Sequence, residues 1–232
     1  MTVTMHQVGE HAVLLDLSPL DHSGDEFAVA TEGRAVPMPN LVASLWERLM
    51  AARESGTFTA TDVVPAARTI LVDGVSADDA RSIGAVVDDW ESTGFARAAM
   101  GLSEADVPVI EIPVTFDGPD LATVAELWGT STHGVAEIMR DADLRVAFCG
   151  FAPGFAYMSG IGAERAVPRR TSPRSRVPVG AVGLAGEYTG IYPRSSPGGW
   201  QLLGTARDAT LWDIARPNPA LLVPGTRVRL VS

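Results

Sequence analysis

The sequence contains no lysine, and all 18 of its basic residues are arginine. That excludes a Schiff-base lysine and a phosphate loop built around a lysine. Cysteine is nearly as scarce. The single thiol, Cys149, cannot make an internal disulfide, which agrees with a reducing compartment. The four histidines, His6, His11, His22 and His133, all precede residue 150 and show no metal-ligand spacing, so no metal site of the chain's own is expected. No apolar run approaches the roughly 18–20 residues that span a bilayer. Met1 to His6 lacks the basic-then-apolar order of a secretory leader. These absences lead us to expect a cytoplasmic protein with no membrane partner. A formal net charge of −10 argues against nucleic acid as a partner.

With 232 residues, 46% of them hydrophobic, the chain can bury one large core or two small ones. Its charge is unevenly spread. Residues 1–150 hold eight arginines against 24 acidic side chains, a balance of −16, whereas residues 151–232 hold ten against four, a balance of +6. A cationic last third suits a small anionic ligand or an acidic surface.

The first part alternates strand-like and helix-like patterns. His11 to Leu17 reads as a strand, and residues 18–36 as an irregular surface excursion. Pro37 and Pro39 precede helical spacing at Leu41, Leu45, Trp46 and Leu49. Thr61 to Val64 and Thr69 to Val72 read as strands. Ser76 and Asp79 resemble a capping box opening a helix through Ile83, Val87 and Trp90. Together these suggest a compact α/β layer. Gly94 to Asp106 reads as a linker. Val109 to Val114 is a strand, Pro119-Asp120 starts a short helix, a second helix follows, and Arg145 to Cys149 is another strand. After Gly150, glycine and proline punctuate many short β-type runs, the pattern of a barrel or sandwich.

Three segments stand out. Gly150-Phe151-Ala152-Pro153-Gly154-Phe155-Ala156-Tyr157 mixes turn residues with aromatics. It can bring backbone and a flat apolar wall to a ligand, or be a tight turn whose aromatics plug a barrel. Pro168 to Pro178 holds Arg169, Arg170, Arg174 and Arg176 in extended backbone, where Arg174 and Arg176 point to one side. Such guanidinium groups bind a carboxylate or phosphate, or form a solvated basic loop, or pair with acids of the same chain. The third segment runs from Gly186 to Pro193, followed by Ser196-Pro197-Gly198-Gly199-Trp200. There Glu187 is a candidate general base and Tyr192 a hydrogen-bond donor, with Thr189, Gly198 and Gly199 beside them. A plain hairpin over a buried tryptophan is the alternative. Cys149 reads as a buried, inert thiol.

Together these segments resemble the family of B-type 5-oxoprolinase subunits, also called allophanate hydrolase subunit 1 and, in one regulatory context, a kinase-inhibitor family. The pattern shared is a glycine-phenylalanine loop with Pro-Gly-Phe, then Pro-Arg-Arg-x-x-Pro-Arg-x-x-Val-Pro, Gly-x-x-Thr-Gly-Ile-Tyr-Pro and Ser-Pro-Gly-Gly-Trp, in that order. Tyr188 stands where relatives often have glutamine, and Asp21 to Pro37 is longer than in relatives. The resemblance implies an α+β fold, with an N-terminal α/β domain over residues 1–95 and a cyclophilin-like β-barrel over 107–232. It implies ATP-dependent opening of 5-oxo-L-proline to L-glutamate, by phosphorylation that labilises the lactam. ATP would be used together with a larger homologous subunit of the allophanate hydrolase subunit 2 type, with room for a further lactam-utilisation subunit. The implied site places Gly150, Phe151, Pro153, Gly154, Phe155, Tyr157, Arg170, Arg174, Arg176, Thr189, Gly198 and Gly199 on the substrate, with Glu187 and Tyr192 catalytic. Alone, the chain is expected to be inactive. Two other readings remain. One is a carboxyltransferase subunit of the allophanate hydrolase or urea carboxylase type, and the other is a non-enzymatic module that inhibits a histidine kinase.

Overall fold

A computed structural model describes residues 2–18, 28–31, 34–100 and 109–232. The chain divides into two compact units, Met1–Asp106 and Val107–Ser232. The first unit contains β1 (Thr4–Val8), β2 (Ala12–Asp16), β3 (Ala28–Thr31), β4 (Arg34–Pro37), α1 (Met38–Glu54), β5 (Asp62–Pro65), β6 (Thr69–Asp73) and α2 (Ala77–Met100). Four of the strands form an antiparallel sheet in the order β1-β2-β6-β5. Val13, Leu15, Ile70 and Val72 alternate onto its buried face, where they meet Leu41, Leu45 and Leu49 of α1 and Ile83, Val87 and Trp90 of α2. The Trp90 indole donates to Ser44 Oγ at 3.1 Å, so its polar edge is satisfied inside this core. The capping box at α2 is present. Ser76 N donates to Asp79 Oδ2 and Asp79 N to Ser76 Oγ, each at 3.1 Å. Hydrogen bonds from the Ser76 side chain, then the Thr59 and Ser76 amides, lower the Asp79 pKa to about 2.

Three details depart from the sequence reading. β1 pairs along its whole length with β2, although His6 and Gln7 hide its strand character. Part of the expected irregular excursion is a hairpin, β3 with β4 in register from Ala28↔Pro37 to Thr31↔Arg34; residues 19–27, 32 and 33 lie outside the described residues. The expected linker from Gly94 is helical as far as Met100, because Ala96 to Met100 are strong helix formers and one glycine costs only about 1 kcal/mol. The remainder of that linker, 101–106, lies outside the described residues.

The second unit holds β7 (Val109–Thr115), α3 (Leu121–Leu127), α4 (Thr132–Asp141), β8 (Leu144–Cys149), β9 (Ala156–Ser159), β10 (Arg174–Val177), β11 (Ala181–Ala185), β12 (Tyr188–Ile191), β13 (Ser196–Gly198), β14 (Gln201–Ala206) and β15 (Arg227–Val231). Seven strands close a barrel in the order β11-β12-β9-β8-β15-β7-β14. Only the β15–β7 pair among these is parallel. The fold is therefore α+β, ending in a closed barrel. Val146, Met158, Val182, Leu184, Ile191, Leu203, Val228 and Leu230 point inward to its core. The opposite faces of β9, β11, β12 and β14 are not left to solvent. They build a second, aromatic core from Phe155, Tyr192, Trp200 and Leu202. The β10–β13 ribbon, antiparallel with a register shift between Arg174 and Val177, lies outside the barrel closure.

Candidate functional site

The aromatic core exists because two glycines lie opposite one another. Gly183 of β11 pairs with Gly190 of β12. A Cβ at Gly190 would stand 2.8 Å from the Phe155 ring and 3.0 Å from Trp200, and one at Gly183 would stand 3.2 Å from Trp200 and Tyr192. The rings thus lie directly on bare backbone, an approach that only glycine permits. Phe155 is the hub. Its centroid is 5.0 Å from Tyr157, 5.3 Å from Tyr192 and 5.5 Å from Trp200, all edge-to-face. Phe148 stacks on Tyr157 at 4.3 Å.

Phe151 rides on top of this cluster. Its ring meets Phe155 at 5.3 Å and Tyr192 at 6.3 Å, yet the residue is 59% exposed. Its backbone has φ +67°, and Ala152 N donates to Gly150 O at 2.7 Å across it. This is a γ-turn of the positive-φ kind, rare for a bulky side chain and costing on the order of 1–3 kcal/mol. Gly154 at φ +80° and the Gly150 N to Phe155 O bond close the loop. A large apolar ring held in a strained, exposed position is a feature of ligand-facing loops rather than of core plugs.

The arginine segment folds against the same face. Arg170 N donates to Gly199 O at 2.7 Å, and Gln201 Nε2 donates to Pro168 O at 3.1 Å. Its cations are not equivalent. Arg170 Nη1 and Arg174 Nη2 both donate to Asp120 Oδ1, at 3.0 and 2.7 Å, and Asp120 Oδ2 accepts the Leu202 amide at 2.7 Å. Arg174 also donates to Trp200 O at 3.4 Å. Burial opposes ionisation of Asp120, but the Arg174 hydrogen bond, the Leu202 amide and the two positive charges outweigh it and hold the carboxyl below its ordinary value. Arg176 is exposed and donates to Ser195 Oγ at 3.1 Å. Arg169 is exposed, and among the described residues it has no carboxylate or hydrogen-bond partner. Its charge acts on both Tyr157 and Tyr192. Burial pushes the two phenols up, with Tyr157 adding to the effect on Tyr192, while Arg169 works in the opposite direction on each.

The fold gathers Phe151, Phe155, Tyr157, Tyr192, Arg170, Arg174, Gly198 and Gly199 around one face, with Gly150, Pro153 and Gly154 shaping the loop above it. Gly198 leaves room for the Tyr192 hydroxyl, which a Cβ there would meet at 2.5 Å. Two expected residues fall elsewhere. Thr189 is fully buried, paired with Met158, and alternates to the barrel interior with Ile191, so it cannot line the aromatic face. Its hydroxyl has no hydrogen-bond partner. Glu187 sits in the two-residue turn between β11 and β12, five positions from Tyr192 at the other end of that ribbon. At ~3.3 Å per residue the two stand roughly 16 Å apart along the strand, too far to act together on one small substrate. Arg174 and Arg176, expected on one side, reach different partners, Asp120 and Ser195. The sequence reading also missed Asp120 as a site residue, because Pro-Asp before an apolar run reads as a helix cap. It does occupy that position in α3, but makes no side-chain cap bond. The Cys149 thiol, pushed up by burial to about 11, donates weakly to Leu222 O at 3.4 Å and is no nucleophile at neutral pH. Among the described residues no group of three or more His, Cys, Asp or Glu side chains could hold a metal, and no helix is long and apolar enough to cross a membrane.

Comparison with known proteins places this geometry in a family. Residues 3–222 match the carboxyltransferase domain, subdomains C and D. The chain is 34% identical over 228 residues to the B-type subunit of 5-oxoprolinase from Escherichia coli O157:H7, covering 97% of this chain and 93% of that protein. The crystal structure of TTHA0988 superposes with a TM-score of 0.68 at 33% identity, over 95% of this chain but only 39% of that one. The urea amidolyase of K. lactis superposes with a TM-score of 0.67 at 16% identity, over 99% of this chain and 15% of the amidolyase, which is a likeness of fold alone. On the match across residues 3–222 and the near full-length identity, the chain belongs to the B-type 5-oxoprolinase subunits, a family of carboxyltransferase-domain proteins.

Proposed function

We propose that the chain is one subunit of an ATP-dependent 5-oxoprolinase, which opens 5-oxo-L-proline to L-glutamate together with a larger homologous subunit. The observation that carries this reading is the meeting of the Gly150–Tyr157, Pro168–Pro178, Gly186–Pro193 and Ser196–Trp200 segments on one aromatic, arginine-edged face. That face suits a small, flat, anionic lactam. Phe151 and Tyr157, backed by the buried Phe155, offer a wall for the ring, and the arginine segment offers charge for its carboxylate. Tyr192, expected as a hydrogen-bond donor to the substrate, is 2% exposed and backs this wall instead. Opening the ring adds water across the C–N bond and leaves the ring nitrogen as the amine of glutamate. That step needs a driving force, which ATP supplies when bound. The chain has no lysine and none of the residues above forms a phosphate loop, so ATP is assigned to the complex rather than to this chain alone.

The expected base, Glu187, stands at the far end of the β11–β12 ribbon from these rings, so in this reading the partner subunit completes the chemistry. The reconstituted complex should hydrolyse ATP only when 5-oxoproline is present, and this chain alone should do neither reaction. ATP hydrolysis indifferent to 5-oxoproline but responsive to allophanate or urea would replace this reading with the carboxyltransferase one. Inhibition of a histidine kinase without any turnover would replace it with the regulatory one.

A further inference from the structure

The approach to α3 is fastened onto β14. Gly118 N donates to Leu203 O at 3.0 Å, Asp120 N to Leu202 O at 3.1 Å, and Leu202 N back to Asp120 Oδ2 at 2.7 Å. A Cβ at Gly118 would stand 2.2 Å from Leu202 O, so this loop lies directly on the strand's backbone. Asp120 occupies the N-cap position of α3, yet its side chain makes no cap bond. Aspartate at that position ordinarily accepts from the helix's own amides. Here the carboxylate is 4% exposed and serves Arg170, Arg174 and Leu202 instead.

The two arginines lie four residues apart and close on one oxygen, Asp120 Oδ1. The backbone around them is tied down as well. Gln201 Nε2 donates to Pro168 O, Arg170 N to Gly199 O and Arg174 Nη1 to Trp200 O, and Arg174 pairs with Gly198 in the β10–β13 ribbon. The segment is thus stapled along residues 198–201, the stretch that carries the Trp200 ring of the aromatic core. Its other two cations, Arg169 and Arg176, are exposed. Four guanidinium groups within eight residues repel one another. A buried carboxylate shared by two of them offsets that repulsion and fixes the backbone from which the exposed pair project. Stability alone is a weak reason for such an arrangement, since well-packed apolar groups often hold as well as a buried ion pair.

We propose that Asp120 is a positioning residue for this site: by holding Arg170 and Arg174 it fixes the 168–176 segment beside the aromatic core, so that the segment meets an anionic ligand already ordered. The inference rests on the lactam reading given above for the identity of that anion. Binding that must first order a loop is weaker by the cost of the ordering, so the effect of Asp120 belongs to ligand affinity rather than to the chemical step.

The test compares the reconstituted complex carrying Asp120→Asn, Arg174→Gln or both with the unaltered complex. Asp120→Asn should raise the KM for 5-oxo-L-proline about tenfold or more, while kcat stays within about threefold and the KM for ATP does not change. Arg174→Gln should do the same, and the double variant should add less than about twofold, because the two residues act as one unit. Asp143→Asn, which breaks the surface pair with Arg227, should leave all three constants unaltered. A fall in kcat at unchanged KM would make Asp120 a stabilising residue only, and a lower KM would mean that freed charge outweighs order; either result overturns the proposal. The second arm needs no turnover. Trypsin cuts after arginine, so mass spectrometry of brief digests reads the segment directly. Asp120→Asn should speed cleavage after Arg170 and Arg174 about tenfold beyond any rise after Arg227 in β15, the mark of local opening. Equal acceleration at all three positions reports opening of the whole unit and overturns the proposal. If the unaltered complex does not turn over 5-oxoproline, the lactam reading fails, and the cleavage pattern alone decides the role of Asp120, so the two failures are distinct.

Discussion

Asp120 is 4% exposed and accepts two arginine bonds and one backbone amide. Asp120→Asn keeps the shape and can keep the Leu202 bond, but removes the charge that both arginines face. Breaking a buried pair costs about 3–5 kcal/mol when fully desolvated. The Arg170 side chain is 36% exposed, so screening reduces the expected loss to roughly 2 kcal/mol. The pH dependence has a definite sign. The folded carboxyl titrates below its unfolded value of about 3.9, so its stabilisation is complete above that value and is lost as pH falls through the folded pKa. Urea denaturation at neutral pH should therefore separate the parent from Asp120→Asn, and the gap should narrow steadily below about pH 4. A gap of constant size down to about pH 2 would show that the carboxylate is not the species held.

At the scale of elements, the β11–β12 ribbon is the part whose sequence most tightly constrains its use. Gly190→Ala puts a methyl group 2.8 Å from the Phe155 ring and 3.0 Å from the Trp200 ring. Overpacking of this kind costs about 1–3 kcal/mol, and displaced rings also disturb the wall beneath Phe151. A thermal melt should show a fall of several degrees. Near-ultraviolet circular dichroism should change too, because Trp200 and Tyr192 are among the rings that move. Much of this ribbon is legible in the sequence. Alternation of Val182, Leu184 and Ile191 against small or aromatic residues marks two different faces, and the Gly-x-x-Thr-Gly-Ile-Tyr-Pro motif marks the segment. What the motif does not say is which face each residue takes. It places Thr189 with the ligand, but the period of two sends that residue inward beside Met158. β9 and β13 leave little trace in the sequence because each is short and broken by neighbouring glycine or proline. Their strand character comes from partners far away in the chain. The arginines show the same limit. Four of them within eight residues are visible to any reader, but which one is left free depends on a carboxylate about fifty positions earlier.

Considered as a whole, the molecule divides its charge differently from the sequence halves. Residues 107–232 carry twelve arginines against eleven acids, so the second unit is nearly neutral at +1, and residues 1–106 carry six against 17, a balance of −11. The cationic last third meets counter-charges within its own unit, where Arg227 binds Asp143 and Arg229 reaches Glu111 at the surface, besides the Asp120 clamp. The bulk charge of this unit therefore offers little attraction for the partner subunit of the proposed function, for which apolar contact is the expected source. Large apolar side chains do stand exposed at and beside the Gly150–Tyr157 loop. Phe151 is 59% exposed, Trp212 is 41% exposed with its Cβ against Gly154, and Ile214, two residues on, is 83% exposed. The Trp212↔Ala220 bridge and the Asp213 N to Pro219 O bond hold the excursion that presents Ile214. If the larger homologous subunit closes this face, Ile214→Asp should weaken the complex at least tenfold, about 1.4 kcal/mol, because a carboxylate would be desolvated in the contact. The melting temperature of this chain alone should not change, since so exposed a side chain contributes little to folding. Equilibrium titration of the two purified subunits, with the melt as control, decides it: an unaltered dissociation constant would move the interface away from the aromatic face.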